Sequence, residues 1–126
     1  MKKITKLLLM LTVTLFAYDF GEIPQVLVKE IKTTDKPMML VVGKTECIWC
    51  ESMAPQLKEI KEEYPKTIIY YINTDKDILW AMENNISELP VEIFYDKDGK
   101  ELGRNIGYIG KDDIMVLLEE SGVLVK

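Results

Sequence analysis

Residues 18–126 are predicted to fold as one α/β domain, a central mixed sheet of about four strands with helices on both faces. Short apolar runs suited to buried strands alternate with amphipathic stretches at helical spacing, so strands and helices follow one another along the chain. The last two strands are joined by the turn sequence Asp96-Lys97-Asp98-Gly99, which makes the sheet end antiparallel after a parallel start. With 126 residues, 48% hydrophobic and 29% charged, and no repeat or low-complexity linker, the chain has the size of one compact domain.

Ile23, Val26, Leu27 and Ile31 recur at helical spacing with Lys29, Glu30 and Lys32 outside, and predict a short amphipathic helix. After Pro37, residues 38–42 are continuously apolar and end at Gly43, the pattern of a strand buried on both faces. Met53, Leu57, Ile60 and Tyr64 form a helical stripe beside Glu51, Lys58, Lys61 and Glu62, and Pro65 stops it. Residues 67–72, rich in β-branched and aromatic side chains, predict a second buried strand closed by Asn73-Thr74-Asp75. Ile78, Leu79 and Met82 space a short helix that fades at Asn84-Asn85, and residues 91–95 predict a third strand behind Pro90. Residues 101–106 form the fourth strand. The last helix carries Ile114, Leu117 and Leu118 on its core face, with Asp112 and Asp113 placed to suit the helix dipole.

The first residues have a different character. Lys2, Lys3 and Lys6 precede the apolar run 7–17, and no acidic residue occurs before Asp19, the layout of a secretory signal peptide. Residues 1–17 are therefore expected to be a signal peptide and 18–126 the exported domain. Ala17 suits a cleavage site, although Leu15 is larger than the usual pattern wants. The run holds 11 residues, against about 20 for a stable bilayer-spanning helix; an uncleaved membrane anchor is the weaker alternative. No cysteine closes the run to take a lipid. Without residues 1–17 the chain has 13 Lys+Arg against 21 Asp+Glu, a net charge of −8. An acidic surface with no basic run repels phosphate backbones, which argues against nucleic-acid binding.

The chain has no histidine, which excludes Ser/His and Cys/His catalytic pairs and imidazole metal sites. Its two cysteines stand as Cys47-Ile48-Trp49-Cys50, between the first strand and the helix after it. A cysteine at a helix N-terminus meets free backbone N–H groups and the positive dipole end, both of which stabilise a thiolate. The second cysteine, one turn inside, can attack a mixed disulfide formed by the first. Two other readings stay open. A structural disulfide closing so short a loop would contribute only about 2 kcal/mol on the chain-entropy formula. A metal site would have two ligands where zinc takes four.

With those residues in place, the chain resembles the thioredoxin family, in its exported, periplasmic bacterial form with a C-I-W-C site, over about Pro37 to Leu118. Pro55, five residues beyond Cys50, matches the family's helix-kinking proline, and Leu89-Pro90, opening a strand, matches its cis-proline. The resemblance implies a thioredoxin fold, a cis Leu89-Pro90 peptide packed beside the cysteines, and a redox disulfide between a nucleophilic Cys47 and a resolving Cys50. It implies that Leu89 offers backbone hydrogen bonds to an extended substrate segment and that Pro90 shapes the groove and keeps metal out. Gly107 matches a glycine lining that groove, with a plain turn glycine as the alternative. Trp49 stands where relatives carry proline, histidine or glycine and is expected to form an apolar wall for substrate, or else simply to pack.

The departures from the family bear on mechanism. Thioredoxins have a buried aspartate six residues before the first cysteine that helps deprotonate the resolving thiol, and Val41 stands there. The lysine that accompanies it aligns with Tyr71. Before Cys47, where tryptophan is frequent, stands Glu46, whose charge opposes thiolate formation, with Lys44 as a counter-charge.

The expected function is a thiol-disulfide oxidoreductase acting on disulfides of exported proteins, in the reducing direction, because a family isomerase needs a dimerising domain for which there is no room before the first strand. The alternatives are an oxidase or isomerase of the same fold, and a non-catalytic binding module using the Trp49 and Leu89 surface. No cofactor and no resident metal are expected. The expected partners are exported proteins with disulfides or thiols and, by resemblance, a membrane electron donor; the chain is expected to act as a monomer.

Overall fold

The computed structural model describes residues 18–32 and 35–126. The predicted signal peptide, residues 1–17, lies outside the described residues. Seven regular elements follow in the order β1 (Met38–Gly43), α1 (Ile48–Glu63), β2 (Ile69–Asn73), α2 (Ile78–Glu83), β3 (Val91–Tyr95), β4 (Glu101–Ile106) and α3 (Lys111–Glu120). The sheet order is β2-β1-β3-β4, with β1 and β2 parallel and the other neighbours antiparallel. This is the predicted α/β architecture. Among the described residues, no helix is long and apolar enough to cross a membrane.

Strand alternation divides the interior into two cores. On one face Met39 and Val41 of β1, Ile69 and Tyr71 of β2 and Phe94 of β3 pack against α1 and α3. On the other, Leu40, Val42, Ile72, Val91 and Ile93 are covered by α2 and the segment before β1. The stripe Met53, Leu57 and Ile60 of α1 is fully buried, as are Ile114 and Leu118 of α3; each such side chain contributes about 1.5–3 kcal/mol relative to exposure. Lys111 Nζ donates to Glu59 Oε1 at 2.8 Å and Glu63 Oε1 at 2.7 Å, tying α3 to α1 at the surface. Pro55 sits inside α1 without ending it. In the turn after β3, Asp96 Oδ1 accepts from the N–H groups of Asp98 and Lys100, both at 2.9 Å, and Gly99 takes φ +80°.

Four details depart from the sequence expectations. Residues 23–31 form no amphipathic helix, only a 3-10 turn at Val28–Glu30. Pro24 and Gln25 instead run beside β2: Tyr71 N donates to Pro24 O at 2.9 Å and Val26 N to Tyr71 O at 3.1 Å. The apolar residues then serve two cores, Ile23 the first and Val26, Val28 and Ile31 the second, a division that helical spacing imitates. Thr67 precedes β2: it is a buried turn residue whose Oγ1 accepts from Val125 N at 2.9 Å. The helix α2 forms, but Ile78, Leu79 and Met82 face outward at 59%, 75% and 70% exposure, while Ala81 and Trp80 meet the sheet. Periodicity defines a face without saying which face the sheet covers, and the indole offers more apolar area to bury. Leu117, assigned to the core face of α3, is only partly buried against it.

Candidate active site

The cysteine motif lies where β1 ends and α1 begins. Cys47 is the N-cap of α1, in extended conformation, and its Sγ accepts from Cys50 N at 3.2 Å. The two cysteines form a disulfide with Cα atoms 5.2 Å apart. Cys50 is 2% exposed, whereas Cys47 is only partly covered. The helix terminus therefore directs the Cys50 N–H at the more accessible sulfur, an environment of the kind that stabilises a thiolate.

The connecting loop is held on two sides. Tyr18 Oη accepts from Cys47 N at 2.9 Å and lies within donating distance of Lys44 O and Cys47 O, at 3.1 and 3.2 Å. On the β2 side, Thr45 N donates to Asp75 Oδ2 at 3.1 Å and Asn73 Nδ2 to Thr45 Oγ1 at 3.1 Å. Glu46, between these anchors, takes φ +57°, a left-handed conformation that a glutamate adopts only when its surroundings impose it. Sequence reasoning missed Tyr18, because nothing in the sequence pattern shows that the first residue after the apolar run folds back onto the cysteine loop.

The remaining predicted residues gather at the same end of the sheet. Leu89-Pro90 is a cis peptide, as the resemblance implied. Pro90 O accepts from Gly107 N at 2.7 Å, and Gly107 has φ +100°, which requires glycine there and agrees with the turn reading. Trp49 is 58% exposed and packs its ring on Tyr108, with centroids 5.7 Å apart. Tyr108 is in turn paired with Gln56 of α1. Trp49, Tyr108, Gly107 and Pro90 are thus linked in one chain of contacts, while Leu89 is partly buried against the core that holds Val42 and Val91.

Beneath the disulfide lie polar groups in an otherwise apolar layer. Val41 is 1% exposed, and its strand partners are Tyr71 on one side and Glu92 on the other. A Cβ on Gly43 would overlap the Tyr71 hydroxyl and stand 3.0 Å from Cys50 Sγ, so any larger residue there must displace the tyrosine. Burial pushes the Tyr71 phenol far up and keeps it neutral. Glu92 is completely buried, and loss of solvent pushes its carboxyl from 4.5 up to about 7, against the lowering effect of a hydrogen bond from Asn105. Sequence reasoning missed Glu92 because it read residues 91–95 as a strand without asking which face Glu92 takes. The available signal was an acid two residues before Phe94, on the same face of a predicted strand.

Glu92 has a consequence for stability. Its contribution is fully present below the unfolded pKa, where both states are protonated, and is lost as pH rises toward 7, because only the unfolded chain ionises freely. The loss is about 3 kcal/mol. Urea unfolding from about pH 5 to about pH 8 is expected to show this decline, and Glu92→Gln to flatten it; an unchanged slope in the variant would assign the decline to other groups.

A mixed α/β sheet with a C-x-x-C disulfide at the start of the helix following a central strand defines a thiol-disulfide oxidoreductase. The chain belongs to the thioredoxin-like domain family, whose sequence profile matches residues 24–122. Among its relatives, Saccharomyces cerevisiae Thioredoxin-1 is 29% identical over 73 residues, covering 58% of this chain and 70% of the relative. Chlamydia trachomatis thioredoxin is 30% identical over 74 residues, covering 59% and 72%. The fold is shared with chloroplastic thioredoxin z, at TM-score 0.71 and 19% identity over 81% of this chain and 96% of that one. It is likewise shared with mitochondrial thioredoxin 3 of Saccharomyces cerevisiae, at TM-score 0.66 and 20% identity over 78% and 94%.

Proposed function

We propose that the protein is an exported, monomeric reductase of disulfides in other exported proteins, with Cys47 as nucleophile and Cys50 as resolving thiol. The observation that carries the assignment of roles is the unequal burial of the two sulfurs: Cys47 is reachable at the helix N-terminus, while Cys50 is 2% exposed and meets only what Cys47 has already bound. Attack by the Cys47 thiolate forms a mixed disulfide with the client. Attack by Cys50 on Cys47 then releases the reduced client and leaves the intramolecular disulfide.

Trp49, Leu89, Pro90 and Gly107 form the client groove in this reading. The exposed indole beside Tyr108 supplies apolar contact, and the backbone of Leu89, next to the cis-proline, pairs with an extended client segment. The thioredoxin relatives support the reducing direction, and the basic-then-apolar start of the chain supports export to the periplasm. In an oxidising compartment, turnover draws electrons from a membrane donor.

Direction is tested by the equilibrium reduction potential of the Cys47–Cys50 pair in residues 18–126 against glutathione. A value near about −270 mV is expected of a reductant. A value of about −120 to −180 mV would make the protein a disulfide donor or shuffler and overturn the proposed direction.

A further inference from the structure

Among the described residues, two buried side-chain atoms have no hydrogen-bond partner, Tyr71 Oη and Glu92 Oε1. Both belong to the face of the sheet that α1 covers. The register sets Tyr71, Val41, Glu92 and Asn105 in one row across β2, β1, β3 and β4. Glu92 Oε2 accepts from Asn105 Nδ2 at 3.3 Å, while Oε1 has no partner. A carboxyl enclosed in this way is costly, and a costly ionisable group next to reacting atoms is a candidate for proton transfer.

Its position relative to Cys50 follows from the sheet. Glu92 is directly opposite Val41, so Gly43, two residues farther along the same face, is its diagonal neighbour. Diagonal positions lie about 7–8 Å apart, a span that long side chains bridge. Gly43 has no side chain, and the space above it holds Cys50 Sγ, 3.0 Å from where a Cβ would stand. Glu92 thus lies on the strand face that carries Gly43, one diagonal step from the position over which the Tyr71 hydroxyl and Cys50 Sγ stand.

We propose that Glu92 is the buried proton acceptor for Cys50 when the mixed disulfide is resolved, acting from β3 where β1 supplies only Val41. The Cys50 thiol gives its proton to Glu92 Oε1, directly or through one water. The resulting thiolate attacks Cys47 Sγ, forming the Cys47–Cys50 bond and breaking the bond between Cys47 and the client sulfur. The client sulfur leaves with the electron pair of that bond and takes a proton from solvent. The two protein thiols are oxidised and the client disulfide is reduced, with no further reactant.

The surroundings suit this role. The row that holds Glu92 carries the neutral Tyr71 phenol beyond Val41 and the Asn105 amide from β4, and the buried residues of the helices on that face, Met53 and Ala54 of α1 and Ile114 of α3, are apolar. With no charged side chain in that set, burial alone lifts the carboxyl to about 7, where it can both take and return a proton at neutral pH.

The inference rests on disulfide exchange at Cys47–Cys50 and not on its direction. Reduced protein is mixed with 5,5′-dithiobis(2-nitrobenzoate): attack by Cys47 releases one thionitrobenzoate and resolution by Cys50 releases the second, so the two steps are read separately. Glu92→Gln is expected to leave the first phase unchanged, to slow the second by on the order of 10²-fold at neutral pH, and to remove its inflection near pH 7. A second phase with unaltered rate and pH profile would overturn the proposal. Absence of the first phase in the unsubstituted protein would instead overturn exchange at Cys47, and this inference with it. In the unsubstituted protein, a carbon-13 titration of the Glu92 carboxyl is expected to shift between the reduced and disulfide forms, and in the reduced form to respond to Cys50→Ala. Identical titrations in all three would overturn the proposal without recourse to the glutamine variant.

Discussion

Cys47→Ser is expected to reduce disulfide exchange to the uncatalysed background, while Cys50→Ser still attacks clients and accumulates as a mixed disulfide. The difference follows from where the two sulfurs lie. Cys47 stands at the N-cap of α1 with the N–H of Cys50 directed at its sulfur and is the more exposed of the two, so in the proposed cycle it is the sulfur that meets the client. A serine hydroxyl there keeps the hydrogen-bonding geometry and loses the nucleophile. Cys50, almost wholly enclosed, has no access to a client until Cys47 has brought one in. The measurement is turnover of an insulin disulfide with dithiothreitol as reductant, combined with non-reducing mass analysis of each variant. Equal activity in the two variants would overturn the assignment of roles, and unimpaired client binding by a double-serine variant of a wild type lacking exchange would favour a binding module.

Gly43→Ala is expected to destabilise the protein by about 1–3 kcal/mol, the usual cost of forcing an extra methyl into a packed interior. The position has two obstacles, the Tyr71 hydroxyl and the Cys50 sulfur, and the hydroxyl is the closer. Tyr71→Phe alone is expected to be neutral or slightly stabilising, because the hydroxyl it removes is buried without a partner. In the Tyr71→Phe background the cost of Gly43→Ala should fall by about 1 kcal/mol, a coupling that a double-mutant cycle in urea isolates. Equal costs in both backgrounds would place the obstruction at the sulfur, and the variant should then also disturb disulfide formation.

Much of the fold was legible because neighbouring residues carry it. β1, β3, β4 and α1 occur at or close to the positions that apolar runs, the Asp96–Gly99 turn and the stripe Met53, Leu57 and Ile60 indicate. The cysteine pair was legible for the same reason, since its spacing and its place before a helix are local facts. The segment 23–31 was misread because its apolar residues divide between two cores, and a one-dimensional pattern cannot separate that from one helical face. For α2, spacing indicated a helix but pointed to the wrong side of it.

The sequence by itself determined that this protein is a small α/β domain with a C-x-x-C at a strand-to-helix junction, because composition, periodicity and turn residues act over a few positions. Only the tertiary structure decided what surrounds the cysteines. Tyr18 meets Cys47 across 29 positions, and Gly43 of β1 and Tyr71 of β2 reach the neighbourhood of Cys50 from two different strands. Such juxtapositions depend on strand order and register, and the chemistry of a buried thiol depends on which groups they leave beside it without water.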